Sequence, residues 1–432
     1  MQPITSPNII ARPQHLVSRS NINEGALRVL YRLKEAGFQA YLVGGCVRDL
    51  LLGREPKDFD VATDATPEQV KSLFRSCHLV GRRFRLAHVR MGPEIIEVAT
   101  FRAAHAPEEQ DGRLSADGRI LRDNVFGSIE EDAWRRDFTV NALYYNIRDF
   151  SVVDYVGGMN DLRTGLLRLI GNPESRYRED PVRMLRAVRF AAKLGFRLHS
   201  ETEVPLGVLA GLLTEIPAAR LFEEVLKLFL GGSALQTYEL LRHYDLFRYL
   251  FPMTELSLAH EEQGFPVTLV AKALANTDTR VLEGRPVTPA FLMAALLWEP
   301  VRDRAAKLKG AAGHPTEALY LSADEVLAEQ RARVAIPRRF AAVAREIWAL
   351  QPRFAQRSGK RPHRLMGHPR FRAAYDFLVL RAEAGEEPQE LADWWTGLQE
   401  GAEPQPAAAV RSQPARRRRG RRRRSARSGD AP

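Results

Sequence analysis

Residues 41–66, YLVGGCVRDLLLGREPKDFDVATDAT, constrain this chain most, because they place two glycines and two aspartates in a fixed order around a short helix. The apolar residues 41–43 predict a strand, and Gly44 and Gly45 let backbone N–H groups approach a triphosphate closely. Residues 46–52 predict a short helix, and its N-terminus adds positive potential at the glycines. This order predicts a nucleotide-phosphate site at the end of a strand.

Asp58 and Asp60 lie two positions apart at the start of a second predicted strand. Side chains two apart on a strand share a face, so the two carboxylates lie side by side while Phe59 turns to the core. Paired carboxylates suit Mg²⁺, which prefers hard oxygen ligands and keeps positions for waters and phosphate oxygens. The order strand, GG-x-x-RD, helix, loop, D-x-D resembles the opening motif of the nucleotidyltransferase superfamily. The resemblance is to the branch that contains transfer-RNA CCA-adding enzymes and bacterial poly(A) polymerases.

Two later blocks strengthen the resemblance. RRDFTVNAL, residues 135–143, resembles the second signature of this family, which implies that Asp137 belongs to the active site and that Arg135 and Arg136 contact the nucleotide. Glu179, Asp180 and Arg183 resemble its E-D-x-x-R nucleotide-recognition motif.

The recognition motif implies that Asp180 and Arg183 read adenine, with Arg186 supporting the base or a phosphate. Aspartate and arginine side chains at a helix start can offer acceptors and a donor fork to a base edge. A protein surface can thereby select the incoming nucleotide without a nucleic-acid template.

The third carboxylate of the site stays open at this point. Residues 84–91 and 94–101 predict a hairpin around Gly92 and Pro93, and Glu97 lies in the middle of its second strand. Glu97 is either an outward-facing strand residue or a third metal-binding carboxylate beside Asp58 and Asp60. Asp137 is the other candidate.

The resemblance implies nucleotidyl transfer as the reaction. The 3′-hydroxyl of an RNA attacks the α-phosphorus of ATP, AMP is added, and pyrophosphate leaves. Asp58 and Asp60 would hold two Mg²⁺ ions, which lower the pKa of the hydroxyl and neutralise the leaving group. The backbone of Gly44 and Gly45, together with Arg48, would cradle the triphosphate.

Length and composition are those of a multidomain globular protein. A chain of 432 residues predicts two or three domains. No run of 18 apolar residues predicts a membrane span, and the N-terminus lacks the features of a secretory signal. Cys46 and Cys77 are too few for a disulfide framework or a zinc site, which fits a reducing cytoplasm.

The expected fold class is α+β. A nucleotidyltransferase palm with a small mixed β-sheet and flanking helices comes first, followed by all-helical neck and body domains and a disordered basic tail. The predicted boundaries are a flexible arm (1–20), a catalytic head (21–165), a helical neck that recognises nucleotide and RNA (166–235), an RNA-binding body (236–400) and the tail (401–432). Residues 151–171 predict a hairpin that turns at Gly157 and Gly158.

Positive charge is concentrated in the tail. Residues 401–432 carry ten arginines against Glu403 and Asp430, a net charge of +8 out of +11 for the whole chain. Such a block binds phosphate by releasing counterions. We expect it to bind RNA, and proteins of RNA decay or RNA chaperones are further candidate partners. The arginines of this block are Arg416, Arg417, Arg418, Arg419, Arg421, Arg422, Arg423 and Arg424.

Residues 79–89, LVGRRFRLAHV, separate the two activities within the family. The run resembles the signature of bacterial poly(A) polymerases, whereas CCA-adding enzymes carry a different segment there. Polyadenylation of RNA 3′ ends is therefore the predicted function. The alternatives are addition of CCA to transfer RNA and a non-catalytic RNA-binding protein on the same scaffold.

Overall fold

The computed structural model describes residues 6–81, 85–103, 125–259, 261–262, 265–266, 268–308 and 314–401. Eight strands build its N-terminal sheet: β1 (Asn8–Ile10), β2 (Ala40–Val43), β3 (Asp60–Thr63), β4 (Cys77–Val80), β5 (Leu86–Met91), β6 (Glu94–Thr100), β7 (Leu143–Asn146) and β8 (Val152–Asp154). They lie in the order β1-β8-β7-β2-β3-β6-β5-β4. Among these described strands β3 and β6 pair in parallel and the other neighbours pair antiparallel, so the sheet is mixed.

Helices flank the sheet and make up most of the rest of the described chain. They are α1 (Glu24–Glu35), α2 (Gly45–Leu51), α3 (Pro67–Leu73), α4 (Ile129–Arg135), α5 (Gly158–Thr164), α6 (Pro173–Glu179), α7 (Val182–Leu194), α8 (Ser200–Glu203), α9 (Pro205–Leu209), α10 (Ala218–Phe229), α11 (Ala234–His243), α12 (Phe247–Leu250), α13 (Pro252–Leu258), α14 (Leu269–Leu282), α15 (Pro289–Leu296), α16 (Trp298–Leu308), α17 (Pro315–Gln330), α18 (Arg338–Leu350), α19 (Arg361–Met366), α20 (Phe371–Glu383) and α21 (Gln389–Glu400). Two short pairings complete the fold: β9 (Leu166–Leu167) with β10 (Arg197–Leu198), and β11 (Glu261–Glu262) with β12 (Phe265–Pro266). The predicted α+β class is confirmed.

One continuous apolar core joins the sheet to the later helices. It contains Leu42 and Val61 of the sheet, Val188 of α7, Val225 of α10 and Leu296 of α15. A smaller core covers the opposite face of the sheet, and a third lies among the C-terminal helices. The helix α7 belongs to this shared core and contacts α10, α11 and the short strands β9 and β10. None of the described helices is both long and apolar enough to cross a membrane.

The N-terminal arm differs from the prediction. Residues 8–10 form β1, which pairs antiparallel with β8, whereas the sequence predicted a flexible arm over residues 1–20. Ile10 and Val17 are buried, and His15 Nε2 lies 3.0 Å from the Phe150 carbonyl oxygen. The prediction was wrong for this stretch because its apolar residues are too sparse to show a period, yet these two reach the core.

The predicted hairpin over residues 151–171 was also wrong. A helix, α5, follows β8 because the Asp154 carboxylate accepts hydrogen bonds from four successive backbone N–H groups. The donors are Val156, Gly157, Gly158 and Met159, at 2.9–3.1 Å. These bonds satisfy the N–H groups that a helix start leaves unpaired, so the chain enters a helix where the glycines suggested a turn.

Candidate active site

The two aspartates of the D-x-D motif lie where β2, β3 and β6 run side by side. Asp60 opens β3, opposite Val43 of β2 on one side and Glu97 of β6 on the other. Asp58 lies in the bend that leads into β3, and Phe59 between them packs against the core. The register therefore brings Asp60 beside Glu97 and beside the strand that ends at the glycine pair.

Negative charge accumulates around Asp60. Its pKa is raised to about 6, first because the surrounding protein removes water from the carboxylate and next because Glu97 is negatively charged. Asp58 raises the pKa further, and the positive charge of Arg136 opposes the shift. The carboxylates of Asp58, Asp60 and Glu97 are thus close enough to repel one another, and the Arg136 guanidinium is the positive group near them.

The carboxylates of Asp58 and Asp60 are open to a ligand. Neither forms a hydrogen bond or an ion pair with any other residue that the structure describes. No group of three or more His, Cys, Asp or Glu side chains among the described residues forms a ready-made metal cage. An open pair of hard oxygen ligands suits Mg²⁺, which keeps several waters and completes its coordination with phosphate oxygens. The residues present fit that metal.

The glycine pair forms a tight turn beside these carboxylates. Gly44 has φ +81°, in the left-handed region that favours glycine, and α2 begins at the next residue. A Cβ placed on Gly44 would lie 3.6 Å from Arg136 Nη1. The turn and the Arg136 guanidinium therefore form one surface next to Asp60.

Arg136 is held in place by two residues that the sequence did not single out. Its Nε donates to the Tyr144 hydroxyl (2.9 Å), and its Nη2 donates to Asp132 Oδ2 (2.9 Å). Tyr144 in turn donates to the same Asp132 oxygen at 2.7 Å. Nη1 has no partner among the described residues, so a hydrogen-bond donor faces the glycine turn. Asp132 is four residues before Arg136, a spacing at which side chains meet along a helix.

Arg135 points away from this surface. Its Nη1 donates to the Ala103 carbonyl at 2.7 Å. Of the two arginines predicted to contact the nucleotide, the structure places Arg136 beside the glycine turn and Arg135 toward residue 103.

Arg48 departs from the expectation that it contacts the triphosphate. It is 2% exposed, and its guanidinium is occupied by protein partners. Nε and Nη2 contact Asp49 Oδ1 at 2.8 and 2.7 Å, and Nη1 donates to Asn141 Oδ1 at 2.6 Å. Arg48 therefore lies behind the glycine turn and braces it, and it does not offer free donors on the open surface.

Asp137 is engaged within the protein, which favours Glu97 as the third carboxylate. Both Nε and Nη2 of Arg186 donate to Asp137 Oδ2, and Asn141 and the Phe138 N–H donate to Oδ1. Burial alone would raise the pKa of Asp137, but the Arg186 charge and these hydrogen bonds lower it to about 2. Asp137 and Arg186 thus act as a tie between the second motif and α7, whereas Glu97 lies beside Asp60 in the sheet.

The recognition motif lies where α6 ends and α7 begins. Arg183 Nη1 donates to Glu179 Oε2 and to the Arg176 carbonyl, both at 2.7 Å. Asp180 Oδ2 accepts a 2.7 Å hydrogen bond from Arg220 of α10. Asp180 and Arg183 are thus fixed by neighbours before any nucleotide arrives.

Sequence reasoning missed two positioning arginines in this region. Arg220 fixes Asp180, and Arg176 Nη2 donates to the carbonyls of Arg135 and Arg136, both at 2.8 Å. Arg176 could have been noticed because it precedes the motif by one helical turn. No local sequence pattern pointed to Arg220, because it lies 40 residues away from Asp180 in the sequence.

Two predicted features lie outside the described residues. Residues 82–84 of the GRRF block, which favoured one activity over the other, are among them. So are residues 402–432, which contain the whole arginine block from Arg416 to Arg424.

Three family profiles match the chain along most of its length. The one described as "Poly A polymerase head domain" matches residues 40–168, and "Probable RNA and SrmB- binding site of polymerase A" matches 195–258. "Polymerase A arginine-rich C-terminus" matches 311–428.

Individual relatives agree with these profiles. Poly(A) polymerase I of Salmonella typhimurium is 55% identical over 403 residues, which cover 92% of this chain and 87% of the relative. The CCA-adding enzyme of Lactobacillus helveticus is 39% identical over 215 residues, 50% of this chain and 52% of that enzyme. The solved structure of the Thermotoga maritima CCA-adding enzyme complexed with tRNA has the same fold, with a TM-score of 0.60 at 21% identity, covering 94% of this chain and 88% of that one.

Proposed function

The chain belongs to the poly(A) polymerase I family, and from that premise we propose that it adds AMP from ATP to RNA 3′ ends with release of pyrophosphate. The observation that carries the proposal is that three features lie together where β2 ends and β3 begins, in the interior of the sheet. These are the open carboxylates of Asp58 and Asp60, the turn at Gly44 and Gly45, and the Nη1 of Arg136, which no described residue occupies.

Asp58 and Asp60 are the residues that would hold two Mg²⁺ ions, and Glu97, which pairs with Asp60 in the sheet, is the candidate third carboxylate. Bound there, Mg²⁺ supplies a lowered pKa for the RNA hydroxyl and positive charge for the leaving pyrophosphate. The repulsion among the three carboxylates supports this assignment, because a cation is the ligand that relieves it.

The triphosphate binds at the glycine turn. The positive φ of Gly44 leaves no side chain between the backbone and a phosphate, and the first N–H groups of α2 are adjacent. Arg136 offers Nη1 to the same phosphate while Asp132 and Tyr144 hold its other nitrogens. An arginine fixed in this way loses little conformational entropy on binding.

Asp180 and Arg183 select adenine. Arg220 and Glu179 hold the two side chains, so their donors and acceptors are set at fixed positions against the base. Arg186 does not reach the base in this scheme. It holds Asp137 and thereby fixes the second motif against α7.

RNA is held by surfaces beyond the head. The profile that matches residues 195–258 carries a description of RNA binding, and a second profile extends over the arginine-rich C-terminus. We assign RNA backbone contacts to the eight arginines between 416 and 424, and this tail is also our candidate surface for proteins of RNA decay or RNA chaperones.

Asp58→Ala and Asp60→Ala test the proposed function. Each variant should lower AMP incorporation into RNA by roughly a thousandfold, a loss of about 4 kcal/mol of transition-state stabilisation, while RNA retention on a filter is unchanged. Glu35→Ala on the exposed side of α1 is the control and should retain full activity. Near-normal incorporation by either aspartate variant would sink the assignment.

Addition of CCA to transfer RNA is the second candidate. It is favoured by the 39% identity to a CCA-adding enzyme over half of this chain. The two activities differ in which nucleotides are incorporated, so incubation with each nucleotide in turn separates them.

A further inference from the structure

A single aromatic ring of α7 contacts three arginines. The guanidinium carbons of Arg48, Arg186 and Arg189 lie 5.4, 5.3 and 4.8 Å from the centroid of the Phe190 ring. The ring itself packs edge-on against Phe138 at 5.7 Å. Each cation is attracted by the ring face, so the ring gathers three positive charges where α7 meets the second motif.

Two of these arginines pair directly with a carboxylate, whereas Arg189 receives only the longer-range charges of Glu224 and Asp137. Arg48 pairs with Asp49, and Arg186 pairs with Asp137. Arg189 forms no hydrogen bond or ion pair with any residue that the structure describes, and its Nε is buried without a partner. No described residue therefore occupies the Arg189 guanidinium, which leaves this charge available to an anion.

Two lysines extend the same positive surface. Lys193 is one helical turn beyond Arg189 on α7, and Lys57 lies in the loop after α2. Neither has a hydrogen-bond or ion-pair partner among the described residues. The pKa of Lys193 is lowered by burial and by the charges of Arg48, Arg189 and Lys57, although Asp49 opposes the shift. The cluster thus carries more positive charge than nearby acids can balance.

We propose that Arg189, with Lys193 and Lys57 beside it, binds the β- and γ-phosphates of ATP. Lys57 immediately precedes Asp58, and a Cβ on Gly45 would lie 3.5 Å from Nη2 of Arg48, the arginine that shares the Phe190 ring with Arg189. Lys57 is thus adjacent to the carboxylate pair in the chain, and the buried Arg48 links Arg189 to the back of the glycine turn. Arginine presents a planar fork that suits phosphate oxygens, and lysine adds a point charge.

The inference rests on the proposed function, because it assigns residues within an ATP site. Its test compares the binding of ATP, ADP and AMP to the full-length protein with Mg²⁺ and without RNA. The variants are Arg189→Gln, Arg189→Lys and Lys193→Gln. Arg163→Gln is the matched control, since Arg163 is an exposed arginine of the head that likewise has no partner among the described residues.

Arg189→Gln should weaken ATP and ADP binding about tenfold, as expected for one charge-assisted hydrogen bond, and leave AMP binding unchanged. Arg189→Lys should recover part of the loss, Lys193→Gln should show a smaller loss of the same pattern, and Arg163→Gln should match the wild type. At saturating ATP the variants should keep kcat while KM for ATP rises.

An unchanged ratio of ATP to AMP affinity in Arg189→Gln would overturn the inference. Weaker RNA binding with unchanged ATP binding would also overturn it, and would assign Arg189 to an RNA backbone phosphate. If Arg189→Gln does not fold, Arg189→Lys and Lys193→Gln decide the question by the same ratio. A wild-type protein that binds no ATP would sink the proposed function itself, so the two failures are distinguishable.

Discussion

Asp60 stands between Val43 and Glu97 in the sheet, with Asp58 two residues away in the chain. The pKa of Asp60 is raised first by burial and next by the negative charges of Glu97 and Asp58. The folded protein therefore binds a proton at Asp60 more readily than the unfolded chain does. Metal binding needs the ionised Asp60, whereas the metal-free fold is more stable when Asp60 is protonated. Such conflicts between function and stability are common at active sites.

Asp60→Asn should raise the melting temperature of the metal-free protein at pH 8. The pKa of Asp60 is about 6 in the folded protein against 3.8 for an aspartate side chain in water, so stability falls as pH rises through the interval from about 4 to about 6. The variant removes that loss, and its advantage should shrink at pH 5. Thermal unfolding in EDTA at the two pH values measures the effect.

Glu35→Gln is the control for this measurement and should change the melting temperature at neither pH. Added Mg²⁺ should raise the melting temperature of the wild type and have little effect on Asp60→Asn, because a ligand stabilises only the state that binds it. A variant that is less stable than the wild type at pH 8 would contradict the account of Asp60.

Local residue patterns predicted the strands that carry Asp60 and Glu97, and tertiary contacts explain where the other expectations differed from the structure. Strand alternation is a local property, but Asp58 lies in the bend before β3, and the metal-binding role of the three carboxylates stays a prediction. The burial of Arg48 depends on Asn141, 93 residues away, and the engagement of Asp137 depends on Arg186, 49 residues away. No local pattern reports such contacts.

At the scale of elements, α7 connects the head to the helical part of the chain. Its buried side packs into the main core, and its polar side carries Arg183, Arg186 and Arg189. The Asp137–Arg186 pair ties this helix to the second motif. Movement of α7 would therefore displace the recognition residues relative to the carboxylates.

Asp137→Asn and Arg186→Gln should each destabilise the protein by roughly 2 kcal/mol, from the shift of the Asp137 pKa to about 2. The double variant should lose little more free energy of unfolding than either single variant. Each single variant already leaves the remaining partner buried and unpaired. The stabilisation is present above about pH 4 and is lost as pH falls toward 2. Urea unfolding of the four proteins at pH 7 measures the coupling.

The exposed pair of Arg178 and Glu174 provides the comparison, since Arg178→Gln should change stability by less than about 0.5 kcal/mol. If the losses of unfolding free energy from Asp137→Asn and Arg186→Gln add up in the double variant, the two residues do not act as a pair.

Element prediction succeeded where the signals were local. The sequence placed the hairpin of β5 and β6 around Gly92 and Pro93. It failed at α5, because the Asp154 carboxylate that starts this helix belongs to the preceding strand. A pair of glycines alone could not distinguish a turn from a capped helix.

At the scale of the molecule, a continuous core joins the sheet to the later helices. The predicted domain boundaries remain predictions, since the core of the described residues shows no break at residue 165 or 235. The class of fold could be predicted because motif order identified the family. Domain packing could not, since it depends on contacts between distant helices.

Deleting residues 411–432 should weaken RNA binding most at low salt. The deletion removes ten arginines, eight of which form the block between 416 and 424. Each phosphate neutralised on a single strand contributes about 0.7 to the slope of log affinity against log salt, so removal of ten arginines should lower the slope by up to about 7. Filter binding across a salt series measures the slope.

Replacing the eight arginines with lysines is the control and should preserve most of the slope. An unchanged slope after the deletion would contradict a role of the tail in RNA binding.

The central claim, template-independent addition of AMP to RNA, is tested most directly by nucleotide incorporation. The protein is incubated with Mg²⁺, an RNA primer or a transfer RNA lacking its CCA end, and each labelled nucleotide in turn. We predict a long product ladder with ATP alone on the RNA primer, and no such ladder from Asp60→Ala. Addition of two C and one A to the transfer RNA, with no extension of the primer, would contradict the claim and identify a CCA-adding enzyme.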